Sequence, residues 1–245
     1  MPPSAAKTIR IGTAGWTIPR AVAEHFPDQG SGVQRYAARF TAVEINSSFY
    51  RPHRPQTYAR WAETAPEGFS FAVKLPKAIT HEARLVEAGV RLAAFRAEVS
   101  ALGDKLGPLL VQLPPSLAFE PTVAERFLTD LRALWPEAIA CEPRHVSWFE
   151  AAADGLLAAY QVARVAADPA RHPLAGKPGG WPELAYWRLH GSPQMYRSPY
   201  DGAFLDQLAD ELRAGPAAET WCVFDNTTLG AAAANALALQ NLLGG

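Results

Sequence analysis

Residues 138–145 read AIACEPRH, and the fold turns on how this stretch is read. Its first half has the short apolar character of a strand, and it closes on Pro, Arg and His. Side chains alternate between the two faces of a strand. With Ile139 and Cys141 on one face, Glu142 and Arg144 share the other. A strand that is apolar on one side and ends in a carboxylate and a guanidinium on the other suits a barrel. There the helices cover one face and the opposite face looks onto the barrel axis.

The stretch has seven counterparts. They are IRIGTAG (9–15), TAVEINSSFY (41–50), FSFAVKLP (69–76), PLLVQLPP (108–115), ARVAADP (163–169), LAYWRLHG (184–191) and ETWCVFDNT (219–227). Helical patterns separate most of them, at 85–107, 121–136, 147–161 and 229–243. Strands alternating with helices imply a parallel sheet. Eight such units in 245 residues predict a single (β/α)8 TIM-like barrel over 9–245, after a flexible N-terminus at 1–8. Some crossover helices are expected to be short or replaced by loops. The clearest case is PARHPLAGKPGGWPE, too rich in Pro and Gly for a helix. A doubly wound sheet is disfavoured because no glycine-rich dinucleotide turn follows the first strand.

The composition is that of a globular protein, 49% hydrophobic and 19% charged. A formal net charge of −1 provides no global field for nucleic acid. MPPSAAKTIR lacks the apolar run of a signal peptide, and no stretch has the length of a membrane span. Cys141 and Cys222 are far apart, each in an apolar run, and are read as free buried thiols. A cytoplasmic protein without membrane contact is expected. The sequence contains no GxxxxGK[ST], GxSxG, HExxH or CxxC motif.

Applied to the other strands, the same alternation gathers a charged constellation. Glu44 and Asn46, Lys74, Gln112, Glu142 and Arg144, and Arg188 and His190 take the inward phase near the C-terminal strand ends. That is where active sites of such barrels sit. Asp168 ends the sixth run and Asp225-Asn226 the eighth, where the phase stays open. Burying one unpaired charge costs several kcal/mol, so these groups are expected to neutralise one another around a pocket. A buried ion-pair network that only closes the interior is the plainer reading. For individual residues plainer readings also stand. His145 suits a cap for the helix near Ser147, Lys77 a surface position, and Trp16, Phe49, Tyr50 and Trp148 core packing as well as pocket walls. His81 lies in the loop after the third strand. The helix start at Thr227, Thr228 and Gly230, under the loop carrying Arg197, reads as an anion site or as an ordinary cap. Asn235, inside that helix, reads as a packing or loop-bonding residue rather than a ligand.

Five blocks, VEINSSFYRPHRPQTYARWAETAPEGFSFAVKLPKAITH, LLVQLPPSL, EPRHVSWF, YWRLHGSP with Tyr196 and Tyr200, and VFDNTTLGAAAANALAL, occur in the order found in one family. Over residues 9–243 the chain resembles the domain-of-unknown-function-72 (YecE-like) family. The resemblance implies a TIM-like barrel in a bacterial cytoplasmic protein whose activity is not established. Its blocks fall on Glu44, Asn46, Lys74, Gln112, Glu142, Arg144, His145, Arg188, His190 and Asn226. Pro143 departs from the aromatic or aliphatic residue usual there. Asp225 departs from the common Asn, and its extra carboxylate would either add a metal ligand or pair with Arg188.

The leading expectation is an enzyme, a hydrolase, lyase or isomerase, acting on a small or polymeric anion. Asn46, Lys74, Gln112, Arg144, Arg188, Asn226 and Tyr196 would bind substrate. Glu44 or Glu142 would be the base, and His190 or His145 the acid. No cofactor is required. The alternative is a metal-dependent phosphoesterase or isomerase with a divalent ion on Glu44, Glu142, Asp168, His190 and Asp225. A binding module for single-stranded nucleic acid, stacking on Trp16, Tyr50, Trp148 and Tyr196, is weaker. A glycosidase ranks last, since the cations suit a neutral sugar poorly.

Overall fold

The structure, a computed structural model, describes residues 7–244. The chain has a mixed α/β fold built on parallel strands. β1 (Thr8–Thr13), β10 (Glu219–Phe224), β9 (Leu184–Leu189) and β7 (Ala166–Asp168) form one sheet, in that order. β2 (Ala42–Ile45), β3 (Ser70–Lys74), β4 (Leu106–Gln112), β5 (Ile139–Glu142) and β6 (Val162–Arg164) form the other, edged by the two-residue antiparallel β8 (Gly179–Gly180).

The two sheets are connected at two places, once by an isolated bridge and once only through the run of the chain. At one, Ala14 bridges Glu44 in parallel and the Gly15 N–H donates to the Glu44 carbonyl at 2.9 Å. Gly12 makes this approach feasible, because a Cβ there would stand 2.2 Å from the Ala42 carbonyl oxygen. At the other seam only Val165 separates β6 from β7, and its N–H donates to the Cys141 carbonyl at 2.8 Å. The run 162–168 thus begins on β5 and finishes on β9.

The predicted alternation holds on the strands. Val43, Ile45, Phe71, Val73, Leu75, Val111, Ile139, Cys141 and Leu189 pack with the helices in one large cluster. Ala42, Ala72, Leu110, Ala140, Ala163, Tyr186, Trp221 and Val223 form a second, separate cluster on the opposite phase. Its small alanines leave room for Tyr186 and Trp221, whose rings stack 6.0 Å apart and nearly parallel. This layer floors the charged groups farther along the strands.

The helices follow from local signals. α1 (Gly32–Ala37) opens with a capping box between Ser31 and Gln34. α2 (Pro55–Thr64) and α4 (Pro121–Leu134) start on proline. The helix expected at 85–107 is α3 (Gly89–Val99), continued by a tighter 3-10 turn to Lys105. The one expected at 147–161 is a 3-10 turn over Val146–Phe149 followed by α5 (Ala151–Ala159). α6 (Gly202–Ala214) was not anticipated. Asp201 caps it, and it buries Leu205, Leu208 and Leu212. α7 (Ala231–Leu243) begins after Gly230.

The crossover from β7 to β9 lacks an α-helix, as its composition predicts. Arg164 fastens it, pairing with Asp154 at 2.7 Å and donating to the carbonyls of Leu174 and Lys177. Residues 1–6 of the expected flexible segment lie outside the described residues. Lys7 and Thr8 belong to the fold: the Lys7 ammonium donates to the carbonyls of Leu212 and Gly215, and Thr8 opens β1. No helix among the described residues is long and apolar enough to cross a membrane.

Candidate functional site

The inward residues near the C-terminal strand ends meet around one guanidinium. Arg188, on β9, is fully buried. Its Nε and Nη2 donate to the two oxygens of Glu44 at 3.0 and 2.8 Å, a bidentate pair. Nη1 donates to Glu142 at 2.6 Å, and Nη2 also reaches Asp225 at 3.0 Å. The Tyr186 hydroxyl donates to Glu44 at 2.9 Å. His190 stands between two carboxylates, Nδ1 at 3.0 Å from Asp225 and Nε2 at 3.2 Å from Glu142.

Glu142 is the hub. Register sets it beside Gln112, whose amide donates to it at 3.0 Å. Arg144, two residues on and on the same face, donates to it at 3.0 Å. With Arg188 and His190, four donors converge on one carboxylate, about as many as its lone pairs accept. Burial opposes ionisation of Glu142, but Arg188, His190 and Arg144 outweigh it and hold the carboxyl well below its usual range. Burial likewise opposes charge on Asp225, and Arg188 and His190 outweigh it to pull the group down. Burial would lower His190, but Glu142 and Asp225 raise it. Both carboxylates favour the protonated imidazole, the form that could donate to each of them.

Three basic side chains cluster beside this network. The Lys74 ammonium lies 4.2 Å from the centroid of the Phe49 ring. No carboxylate among the described residues is within ion-pair distance of it. Burial and then the Arg188 charge lower Lys74 to about 8, against the opposing pull of Glu44, Glu142 and Asp225. His81 packs edge-on against the same Phe49 ring at 5.0 Å. Burial lowers its pKa, and the charges of Lys74 and Arg144 add to the effect. Arg144 also reaches the Tyr196 hydroxyl at 3.5 Å. A cavity of about 20 Å³ is lined by Glu142, Arg144 and His190 together with Pro169, Arg171, Ala175 and Met195. That is room for about one water molecule.

The structure brings together Glu44, Lys74, Gln112, Glu142, Arg144, Arg188, His190 and Tyr196. It corrects others. Arg188 is no surface for substrate, since its Nε, Nη1 and Nη2 all hold carboxylates. Asn226 leaves the pocket: its amide donates to the Ser198 carbonyl and to Asn235, so both tie the 191–200 loop to α7. Asp225 takes the inward phase instead, and its extra carboxylate pairs with Arg188. His145 caps the turn at 146–149 through Ser147. Trp148 is core, its indole N–H on the Leu117 carbonyl, and Trp16 packs on Trp61 and Phe71. Lys77 pairs on the surface with Glu82. Asn46 follows β2 and opens the next turn, and its Oδ1 is buried without a partner among the described residues.

The alternative metal set does not converge. Asp168 accepts from the Tyr200 hydroxyl at 2.8 Å, apart from the others. Glu44, Glu142 and Asp225 surround Arg188. Among the described residues no group of three or more His, Cys, Asp or Glu side chains could hold a metal ion. Two site residues escaped the sequence reading. Tyr186 lies two before Arg188 on the same strand face, so alternation could have found it. Arg171 sits in irregular chain, where no periodic signal exists.

The model of the family described as "Protein of unknown function DUF72" matches residues 10–245. The chain belongs to that family. It is 30% identical over 127 residues to the UPF0759 protein YecE of Escherichia coli, a match spanning 52% of this chain and 42% of that relative. Among solved structures, a DUF72 family protein from Thermotoga maritima superposes with a TM-score of 0.80 at 24% identity, covering 97% of this chain and 100% of that one. One from Enterococcus faecalis gives 0.78 at 21%, covering 97% and 96%. At these identities the likeness is one of fold.

Proposed function

We propose that the protein is an enzyme that holds a small anionic substrate between Arg144, Lys74 and His81 and acts on it by general acid–base chemistry. The observation that carries this reading is the contrast between two groups of charges. Glu44, Glu142, Asp225, Arg188 and His190 satisfy one another in a rigid floor. Among the described residues Lys74 and His81 have no carboxylate within ion-pair distance, the acids acting on them only from farther away, and Arg144 is tied to the floor through Glu142. A phosphate or carboxylate group would supply the missing negative charge.

The roles divide by protonation. His190, whose protonated form both carboxylates favour and which lines the small cavity, is the acid once its bond to Glu142 opens. Glu142 carries too many donors to act as a base. Lys74, lowered toward neutrality, is the better proton acceptor. The cavity beside His190 has room for about one water molecule, so a substrate reaching His190 needs the lining to move.

Two coarser features complete the reading. The Ala14–Glu44 bridge and the 162–168 run support one closed barrel. The free, buried Cys141 and Cys222 support a reducing, cytoplasmic setting.

Titration calorimetry with inorganic phosphate and with sulfate at low salt tests the anion site. Binding that weakens about tenfold or more in Arg144→Gln supports it, as loss of a charge-assisted contact predicts. No binding at low salt overturns it.

A further inference from the structure

Lys74 differs from every other lysine of this chain. There are five, Lys7, Lys74, Lys77, Lys105 and Lys177. Lys7 and Lys105 each donate to backbone carbonyls, Lys77 pairs with Glu82, and Lys177 is exposed. Lys74 is 4% exposed, ends β3 on the inward phase, and rests its nitrogen on the Phe49 ring. That nitrogen has no hydrogen-bond partner among the described residues, yet it is not among the polar atoms sealed from solvent. An amine held against an apolar face, near a buried guanidinium and short of counter-charge, is held ready to lose its proton.

We propose that Lys74 is an amine nucleophile that forms an imine with the carbonyl carbon of a small anionic aldehyde or ketone. The proposal rests on the anion site described above and names its substrate class. Arg144 and His81 would hold the substrate's carboxylate or phosphate, leaving its carbonyl toward Lys74. The Lys74 lone pair attacks the carbonyl carbon, a C–N bond forms, and the C=O π pair moves to oxygen. That oxygen takes a proton, supplied through His190, to give a carbinolamine. Nitrogen gives up its protons, oxygen leaves as water, and the nitrogen lone pair closes the C=N bond. The two hydrogens lost from nitrogen are those gained by the departing water, and nothing is oxidised or reduced.

Every charged group around the amine bears on this step. Burial and Arg188 favour the neutral amine, whereas Glu44, Glu142 and Asp225 favour the ammonium; the Lys74 charge in turn disfavours protonation of the neighbouring His81. Lys74 is lowered to about 8 by burial and then by Arg188, so a large part of it is free amine at mildly alkaline pH.

The test uses the full chain and glyoxylate as the probe. After incubation at pH 8, borohydride fixes any imine, and peptide mass spectrometry places the adduct among the five lysines. The label should gather on Lys74 about tenfold or more faster than on Lys77 or Lys177. It should be slowed by inorganic phosphate and vanish in Lys74→Arg. Label on Lys77 and Lys177 with Lys74 unmodified overturns the imine, and the anion site stands if phosphate binding persists. Acetaldehyde separates the two claims. If Lys74 reacts with it as fast as with glyoxylate, and phosphate gives no protection, the amine stands and the anionic substrate class falls.

Discussion

Arg188 and Glu44 face each other in a bidentate pair in which neither side chain reaches solvent. Such a pair is not in itself a large source of stability, because both groups are removed from water. It becomes indispensable once formed, since removing either member leaves a buried charge unanswered.

Arg188→Met therefore strips three carboxylates of their common partner. It is expected to destabilise the fold by about 3–5 kcal/mol, the range for breaking a buried pair. Urea denaturation checks this. A loss below about 1 kcal/mol would mean that the carboxylates find other partners.

Stability should depend on pH from both sides. Glu142 and Asp225 are lowered in the fold, so their contribution is complete above their ordinary values of 4.5 and 3.8 and is lost on acidification. His190 is raised, so its contribution is complete below 6.5 and fades as pH climbs through its folded value. The urea midpoint should be highest between pH 4.5 and 6.5. His190→Gln should flatten the fall from pH 6.5 to 8. Lys74 acts oppositely, adding stability as it deprotonates above about 8. An unchanged slope in the variant would remove His190 from the network's proton balance.

Lys74→Met should stabilise the protein at pH 7 while abolishing labelling by glyoxylate. The residue is buried, and the fall from 10.5 to about 8 is an unfavourable burial of charge. Its relief corresponds to about 3 kcal/mol, by the equivalence of pKa shift and free energy. Functional positions commonly carry such a cost. A destabilised variant would show that the ammonium makes favourable contacts in the fold.

Arg164→Ala should free the crossover between β7 and β9. The side chain is buried and holds that segment to Asp154 and to two carbonyls. Hydrogen exchange and limited proteolysis at 171–178 should rise sharply, with little change in β1–β5. Unchanged protection would mean that β8 and the turn at 173–176 hold the segment unaided.

Legibility varied along the chain for physical reasons. Residues 184–191 and 138–145 separate polar from apolar residues with a strict period of two near their ends. Arg188, His190 and Glu142 could therefore be assigned to one face before any contact was known. Residues 221–224, Trp-Cys-Val-Phe, are apolar on both faces, so nothing marks which of Asp225 and Asn226 continues the inward phase. Asp168 lies on a strand end yet meets Tyr200, brought to it by an irregular loop with no period to read. α6 did carry a signal, an Asp cap before leucines three and four residues apart. The sequence leaves Asp225 to pair with Arg188 or to bind a metal, and nothing in it marks the bidentate pair with Glu44 that makes Arg188 a clamp. A list of inward charges does not say which of them neutralise one another.

The same clamp sets an order of events during synthesis. Glu44 precedes Arg188 by 144 residues and Glu142 precedes it by 46, while Asp225 follows it by 37. A growing chain whose first five strands have emerged carries Glu44 and Glu142 before Arg188, their common partner, has been made. Strands made early thus stay unfinished until β9 arrives, and the last of the three acids docks only with β10. Synthesis from the N-terminus makes the final quarter of the polypeptide the part that locks the rest.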